Sequence, residues 1–327
     1  MVKVFVQKVN DTTKKEELLQ LLDTSNFLSI LNQKCNAKKK QKDACKIVIK
    51  SNIAPASQKN YHYYTDPELV DTIVDHLSKK GYKNIKIVES ETNAVDADPN
   101  LTPDKIAEKL DYKHAVFDLS KDTRQKVSCK DHSLELADTM LQADFIINMP
   151  KAKNHDLMKM TGALKNMYGS IPNKNKYRLF HKKTSGLNIE EATACVNQIT
   201  RPDFVIVDWI DSVDGNELSY YRKPIEQTDF VHVTPKRIIA SENPLAIDKY
   251  LVKKMGYNEN DIPIMIEEKK FGNISLNPED VIGDDLQQLN WKKLSALTNI
   301  KAKLQDKLPI TDDIIAWGIK GYYFDVK

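Results

Sequence analysis

Three consecutive stretches decide the fold: CKIVIKSNI (Cys45–Ile53), DPELVDTIVDHLSKKG (Asp66–Gly81) and NIKIVES (Asn84–Ser90). The first and third are short β-branched runs bounded by polar residues, and they read as strands. The middle stretch has apolar residues at helical spacing. Asp66 stands at its N-cap, Pro67 in its first turn and Gly81 at its stop. Strand, helix and strand in that order make a parallel βαβ unit.

The alternation continues outward. Val2–Val9 alternates toward a strand, and Lys14–Leu31 carries leucines at the spacing of one helix. HAVFDLS (His114–Ser120) reads as a strand, SLELADTMLQAD (Ser133–Asp144) as a helix and FIINMP (Phe145–Pro150) as a strand. Two further series follow: IEEATACVNQIT with DFVIVDWIDSVDG, and RIIASE with NPLAIDKYLVKKMG. The predicted class is α/β, with mainly parallel sheets flanked by helices, in two α/β lobes with a cleft between them. Residues 1–257 form the predicted core. Residues 258–327, with Trp291 and Trp317, form a C-terminal α/β extension packed on it, with no assigned chemistry.

Composition narrows the function classes. The 327 residues are 41% hydrophobic and 29% charged, enough apolar material for a core. Lys and Arg number 49 against 46 Asp and Glu, a net charge of +3, so bulk charge does not point to nucleic acid. Cys35, Cys45, Cys129 and Cys195 form no CxxC pair, which argues against a structural zinc site or a cluster held by this chain alone. MVKVFVQKV lacks a signal-peptide apolar region, and no apolar run reaches the roughly 18 residues of a membrane helix. The expectation is a reducing, cytoplasmic compartment, with no secretory disulfide framework and no membrane partner. Only 10 glycines occur, with no GxGxxG, no GxxxxGK[ST], no GxSxG and no HExxH. Neither a dinucleotide fold nor a P-loop is supported.

Parallel sheets place ligand sites beyond the carboxyl ends of their strands. Lys50, Asn52, Glu89, Lys151 to His155, Asp208 and Asp211 all fall at such ends. In INMPKAKNHDLMKMTGALKNMYG a greasy strand runs into Lys151, Lys153 and His155, and a glycine-bearing helix start then delivers Lys165. Thr161 can cap that helix, and Gly162 lets its free N–H groups approach an anion. A histidine titrates near neutral pH, and a lysine crowded by like charge is a better nucleophile or base. His155 and Lys165 are therefore the candidate catalytic groups. Lys50, Asn52, Lys151, Lys153, Thr161, Gly162, Asn166 and Arg178 are the candidate anion-binding groups, with Lys174 and Lys176 extending a basic rim. His181 and Asp208 are candidate ligands of a divalent metal ion. Asp248, early in a helix, reads as structural.

Taken in order, the motifs resemble the family called domain of unknown function 362. That family shows IK-x-N, here IKSN (Ile49–Asn52), a T-x-P helix start, here TDPELV (Thr65–Val70), and PK-x-K-x-H, here PKAKNH (Pro150–His155). TGALKNMYG (Thr161–Gly169), a downstream histidine at His181, IVDWID (Ile206–Asp211) and NPLAID (Asn243–Asp248) complete the set. The resemblance covers Lys46 to Tyr257. It implies no settled activity. Many members carry ferredoxin-like cysteine motifs absent here, which implies an external ferredoxin-like partner as one reading.

A more distant resemblance is to the nickel-pincer lactate racemases. It implies a proton shuttle at His155, a cofactor tether or anion anchor at Lys165 and a metal ligand at His181. Those enzymes carry a glycine-rich stretch with arginine where this chain has Gly162-Ala163-Leu164. That difference weighs against the pincer nucleotide and leaves a divalent metal ion open as cofactor. The expected function is an enzyme acting on a small carboxylate or phosphate by acid–base chemistry, as a racemase, epimerase or lyase, with metal assistance open. The alternatives are a redox or metal-associated partner protein and a non-catalytic binder of anions or RNA.

Overall fold

The computed structural model describes residues 2–53, 63–96, 98–155, 158–173, 176, 179–180, 185–214, 231–272, 280–289 and 291. Its strands are β1 (Lys3–Lys8), β2 (Ile47–Lys50), β3 (Ile85–Glu89), β4 (Val116–Asp118), β5 (Arg124–Cys129), β6 (His132–Ala137) and β7 (Phe145–Asn148). They continue with β8 (Lys153–His155), β9 (Lys159–Thr161), β10 (Phe204–Trp209), β11 (Ser212–Asp214), β12 (Val231–Val233), β13 (Arg237–Ser241) and β14 (Asp280–Gly283).

Eight of these form one sheet in the order β14-β1-β13-β10-β7-β2-β3-β4. β10 explains its architecture. Every residue of FVIVDW is buried, because apolar side chains face outward on both sides. Phe204 and Ile206 join the core on one face; Val205, Val207 and Trp209 join the core on the other. Such a run needs a layer of helices on each face. The Pro67–Lys79 helix covers one face, and the Ile189–Ile199 and Pro244–Lys254 helices cover the other.

The α/β class and the mainly parallel sheet are as predicted. β2 pairs in parallel with β3 and β7, β3 with β4, β7 with β10 and β1 with β14. β13 runs antiparallel to both β1 and β10. Strands expected to fall into two lobes instead share this one sheet.

Two local expectations are corrected. The helix predicted over Lys14–Leu31 is two helices, Lys14–Thr24 and Phe27–Ala37, divided at Asn26 with φ of 56°. Asparagine tolerates that left-handed turn. The helix predicted over Ser133–Asp144 begins as strand β6, paired with β5, and is helical only at Asp138–Leu141. Leu134 and Leu136 are buried while Glu135 between them is exposed, a period of two that the longer apolar pattern obscured.

The cysteines are also corrected. Cys35 is disulfide-bonded to Cys45, and Cys129 to Cys195, leaving no free cysteine. One bridge lies on each face of the sheet. The pairs are 10 and 66 residues apart, and the second forms only because the β5–β6 hairpin folds onto the Ile189–Ile199 helix. Among the described residues, no helix is long and apolar enough to cross a membrane.

Candidate functional site

β4, β3, β2 and β7 end side by side in Asp118, Glu89, Lys50 and Asn148, while on β10 Asp208 lies three residues beyond Val205, the partner of Asn148, and stands opposite Lys151. All five are buried. Buried polar side chains such as these need hydrogen-bond partners among their neighbours.

At β10 the result is a closed ion pair. Lys151 Nζ donates to Asp208 Oδ2 at 2.9 Å, with the two side chains 1% and 0% exposed. The same Oδ2 accepts from Asp66 N at 2.8 Å, and Oδ1 accepts from Ile210 N at 3.1 Å. Burial pushes the Asp208 carboxyl above its ordinary value against the pull of Lys151. Both candidates are thus engaged with each other and with backbone.

At β2 and β3 a second buried ion pair forms. Lys50 Nζ donates to Glu89 Oε2 at 2.7 Å and to Ser51 O at 2.6 Å. Glu89 also accepts from Ile53 N and Ser90 N. The 3₁₀ turn Met167–Ser170 lies directly on this pair. A Cβ at Gly169 would collide with Glu89 Oε1 and lie 2.7 Å from Lys50 Nζ, so a larger residue must push the ends of these two side chains aside.

Lys176 enters the same place. It is 5% exposed, so it lies beneath the surface rather than out on the basic rim expected of it. Its Nζ bonds Ser90 Oγ and donates to Ile171 O at 3.2 Å, while Tyr168 Oη donates to its carbonyl at 3.2 Å. Lys165 Nζ lies 4.6 Å from the centre of the Tyr168 ring and Lys176 Nζ 6.0 Å from it. Burial lowers the Lys176 amine to about 7 against the opposing pull of Glu89. Lys50 and Lys165 lower it further, and Asp118 opposes them. Burial also lowers the Lys50 amine despite Glu89.

An amide chain ties this cluster to β7. Asn52 Nδ2 donates to Asn166 Oδ1 at 2.9 Å, and Asn166 Nδ2 donates to Asn148 Oδ1 at 2.7 Å and to Lys50 O at 3.3 Å. Asn148 Nδ2 closes the chain on Ala163 O at 2.7 Å. Asn52 Oδ1 is shielded from solvent and has no hydrogen-bond partner.

The helix start at Thr161 and Gly162 does hold an anion, and it is the chain's own. Asp248 accepts from Ala163 N at 2.6 Å and Leu164 N at 3.0 Å. Gly162 is required because a Cβ there would collide with Asp248 Oδ1. Thr161 is the last residue of β9 and makes no side-chain cap. Burial lifts the Asp248 carboxyl to about 7; the two N–H groups pull it down and Glu268 pushes it up. Between about pH 4 and 7 the folded chain holds more protons at Asp248 than the unfolded chain, so stability falls as pH rises there. At Lys176 the unfolded chain holds more protons between about 7 and 10.5, so stability rises with pH there.

The remaining described candidates have other partners. Lys153 Nζ donates to Tyr63 O at 3.2 Å, and His155 Nδ1 accepts from Met158 N at 3.2 Å within the β8–β9 hairpin. Asp211 is paired with Lys236 at 3.2 Å. Lys174, Arg178, His181 and Trp317 lie outside the described residues. Among the described residues, no group of three or more His, Cys, Asp or Glu is gathered as a metal site. The structure thus brings Lys50, Asn52, Lys165 and Asn166 together. It adds Glu89, Ser90, Asn148, Tyr168 and Lys176 to them.

A thylakoid-associated protein of Synechocystis sp. is 27% identical over 149 residues, covering 44% of this chain and 42% of that protein. The chain therefore spans less than half the length of that relative. A structural-genomics crystal structure from Thermotoga maritima is similar with a TM-score of 0.27 and 10% identity, over 54% of this chain and 49% of that one, too slight a likeness to carry an argument. The family model described as Domain of unknown function (DUF362) matches residues 47–253, and the chain belongs to that family.

Proposed function

We propose that this protein is an enzyme that binds a small carboxylate or phosphate at the ends of β2 and β3 and moves a proton at one of its carbons. The observation that supports this most strongly is the buried Lys176 amine, whose hydrogen-bond partners Ser90 Oγ and Ile171 O are neutral. Lys50 and Lys165 lie near that amine with Glu89 and Asp118, a polar setting suited to a small anion. Asn52 Oδ1, unpartnered and shielded, can accept a hydrogen bond from a substrate hydroxyl.

Lys176 supplies the amine that titrates near neutral pH, where a general base is most effective. In this reading Lys50 and Lys165 hold the anion, and His155 is the second acid–base group. A pair of such groups is what racemase, epimerase or lyase chemistry requires. The distant likeness to lactate racemases supports the same class through His155 and Lys165. The roles of Arg178 and His181 rest on their place in the sequence.

A divalent metal at Asp208 would have to displace Lys151 from it. The pincer nucleotide does not fit the helix start, because Asp248 already takes its two N–H groups.

The test uses wild type, Lys50→Met and Lys165→Met. Thermal denaturation is followed with a panel of 2-hydroxy acids and phosphate monoesters, and proton NMR in D₂O follows exchange at the substrate carbon. At least one panel member should raise the wild-type Tm and exchange its proton, with both effects lost in the variants. Absence of any protection in wild type, or equal protection in all three proteins, would contradict the proposal.

A further inference from the structure

We propose that a basic face at the amino ends of β2 and β3 docks this protein on an anionic lipid bilayer. Two segments form it. Residues 32–46 run out of the Phe27–Ala37 helix into β2, and residues 78–86 run out of the Pro67–Lys79 helix into β3. Together they hold ten lysines, no arginine and one acid, Asp43. The whole chain has a net charge of +3, so everything outside them is net negative. The Cys35–Cys45 disulfide closes the first segment into a loop. Lys42 fastens that loop to the second segment: its Nζ donates to Lys80 O at 3.4 Å and lies 5.6 Å from the centre of the Tyr82 ring. Ile47 N donates to Asn84 O at 2.9 Å, so the two segments enter the sheet side by side.

Most of this charge is not matched within the fold. Lys34 pairs with Asp203 and Lys38 with Asp144. Lys39, Lys40, Lys42, Lys79, Lys80 and Lys83 are exposed and form no ion pair with any described residue. Lys79 and Lys80 suit the negative end of their helix. Lys39, Lys40 and Lys42 follow the cap of the other helix, so helix ends do not account for them. What the face lacks decides its partner. It has no arginine fork, and Tyr82 is buried, so no exposed ring can stack on a base. The exposed large apolar side chains among the described residues, Ile266 and Val281, lie outside both segments, so there is no apolar anchor of the kind a protein interface buries. Diffuse positive charge from about four to eight lysines is what anionic headgroups attract.

Docking of this kind is peripheral and reversible, and it needs no membrane-spanning helix. The opposite ends of β2 and β3 carry Lys50 and Glu89, so the candidate site is turned away from the bilayer. The inference does not rest on the chemistry of that site. The full chain is sedimented with phosphatidylcholine vesicles containing about 30% phosphatidylglycerol, and with phosphatidylcholine vesicles alone. It should bind the anionic vesicles at low salt, lose them as sodium chloride rises toward about 0.5 M, and ignore the neutral ones. The triple variant Lys39→Gln, Lys40→Gln, Lys42→Gln should bind about a hundredfold more weakly, at roughly fivefold per lysine. A control of equal net charge, Lys109→Gln, Lys126→Gln, Lys253→Gln, changes exposed lysines outside both segments and should lose less than about tenfold.

Acetic anhydride labelling of the wild-type chain, read by peptide mass spectrometry, locates the docked face without any substitution. Anionic vesicles should shield Lys39, Lys40, Lys79 and Lys80 and leave Lys253 as reactive as in solution. Absence of binding at low salt, equal weakening of the two triple variants, or labelling unchanged by vesicles would overturn the proposal. Retention on heparin or RNA without vesicle binding would also overturn it, and would assign the face to a different polyanion.

Discussion

Two buried lysines at neighbouring strand ends have opposite surroundings. Lys151 meets one carboxylate, Asp208, whose two oxygens accept from three donors altogether. Lys50 shares Glu89 with a site that also contains Lys165 and Lys176. The first arrangement is complete without a ligand. The second adds an amine, that of Lys176, whose hydrogen-bond partners are neutral oxygens. Burial of charge alone therefore says little about function; the balance of cations and carboxylates around it says more.

The largest effect separating the two should appear on removing a carboxylate. Asp208→Ala strands a buried Lys151 ammonium, and breaking such a pair costs about 3–5 kcal/mol. Lys50→Met relieves crowding at Lys176 and leaves Glu89 its backbone donors, so about 1–2 kcal/mol is expected. Urea denaturation of both variants measures the contrast. Equal costs would erase the distinction between a closed pair and an open cluster.

A smaller effect should come from the turn that lies on the cluster. Gly169→Ala forces a methyl group against Glu89 and Lys50, an overpacking of about 1–3 kcal/mol. It should weaken protection by the panel anions more than Tm alone would suggest, because it displaces the pair that faces the ligand. Unchanged anion protection in a destabilised Gly169→Ala protein would separate that turn from the site.

Much of the fold was legible in the sequence. Asp66, Pro67 and Gly81 bound their helix as predicted: Asp66 accepts from Glu68 N at 2.9 Å, and Gly81 has φ of 95°. Strand ends were legible through their polar residues, so Lys50, Glu89 and Asp208 were found at the edge of the sheet. Pairing was not legible. Nothing in PKAKNH says that Lys151 turns to Asp208, 57 residues away. Lys176 read as part of a basic rim because its neighbours are charged, yet it is buried and bonded to Ser90 and Ile171. Asp248 was read as structural from its place early in a helix, yet its partners are the N–H groups of Ala163 and Leu164, 85 and 84 residues away in sequence. The disulfides were missed for the same reason, since their pairing is set by tertiary contacts.

The account depends most on the state of one amine. With lysine side chains labelled at the ε-carbon, NMR titration of wild type against Lys176→Arg assigns the Lys176 resonance and follows it with pH. A midpoint near 7 is the predicted result, with the amine neutral through mildly alkaline pH. A midpoint near 10.5, the ordinary lysine value, would mean that the cations around Lys176 are matched, and would contradict the account.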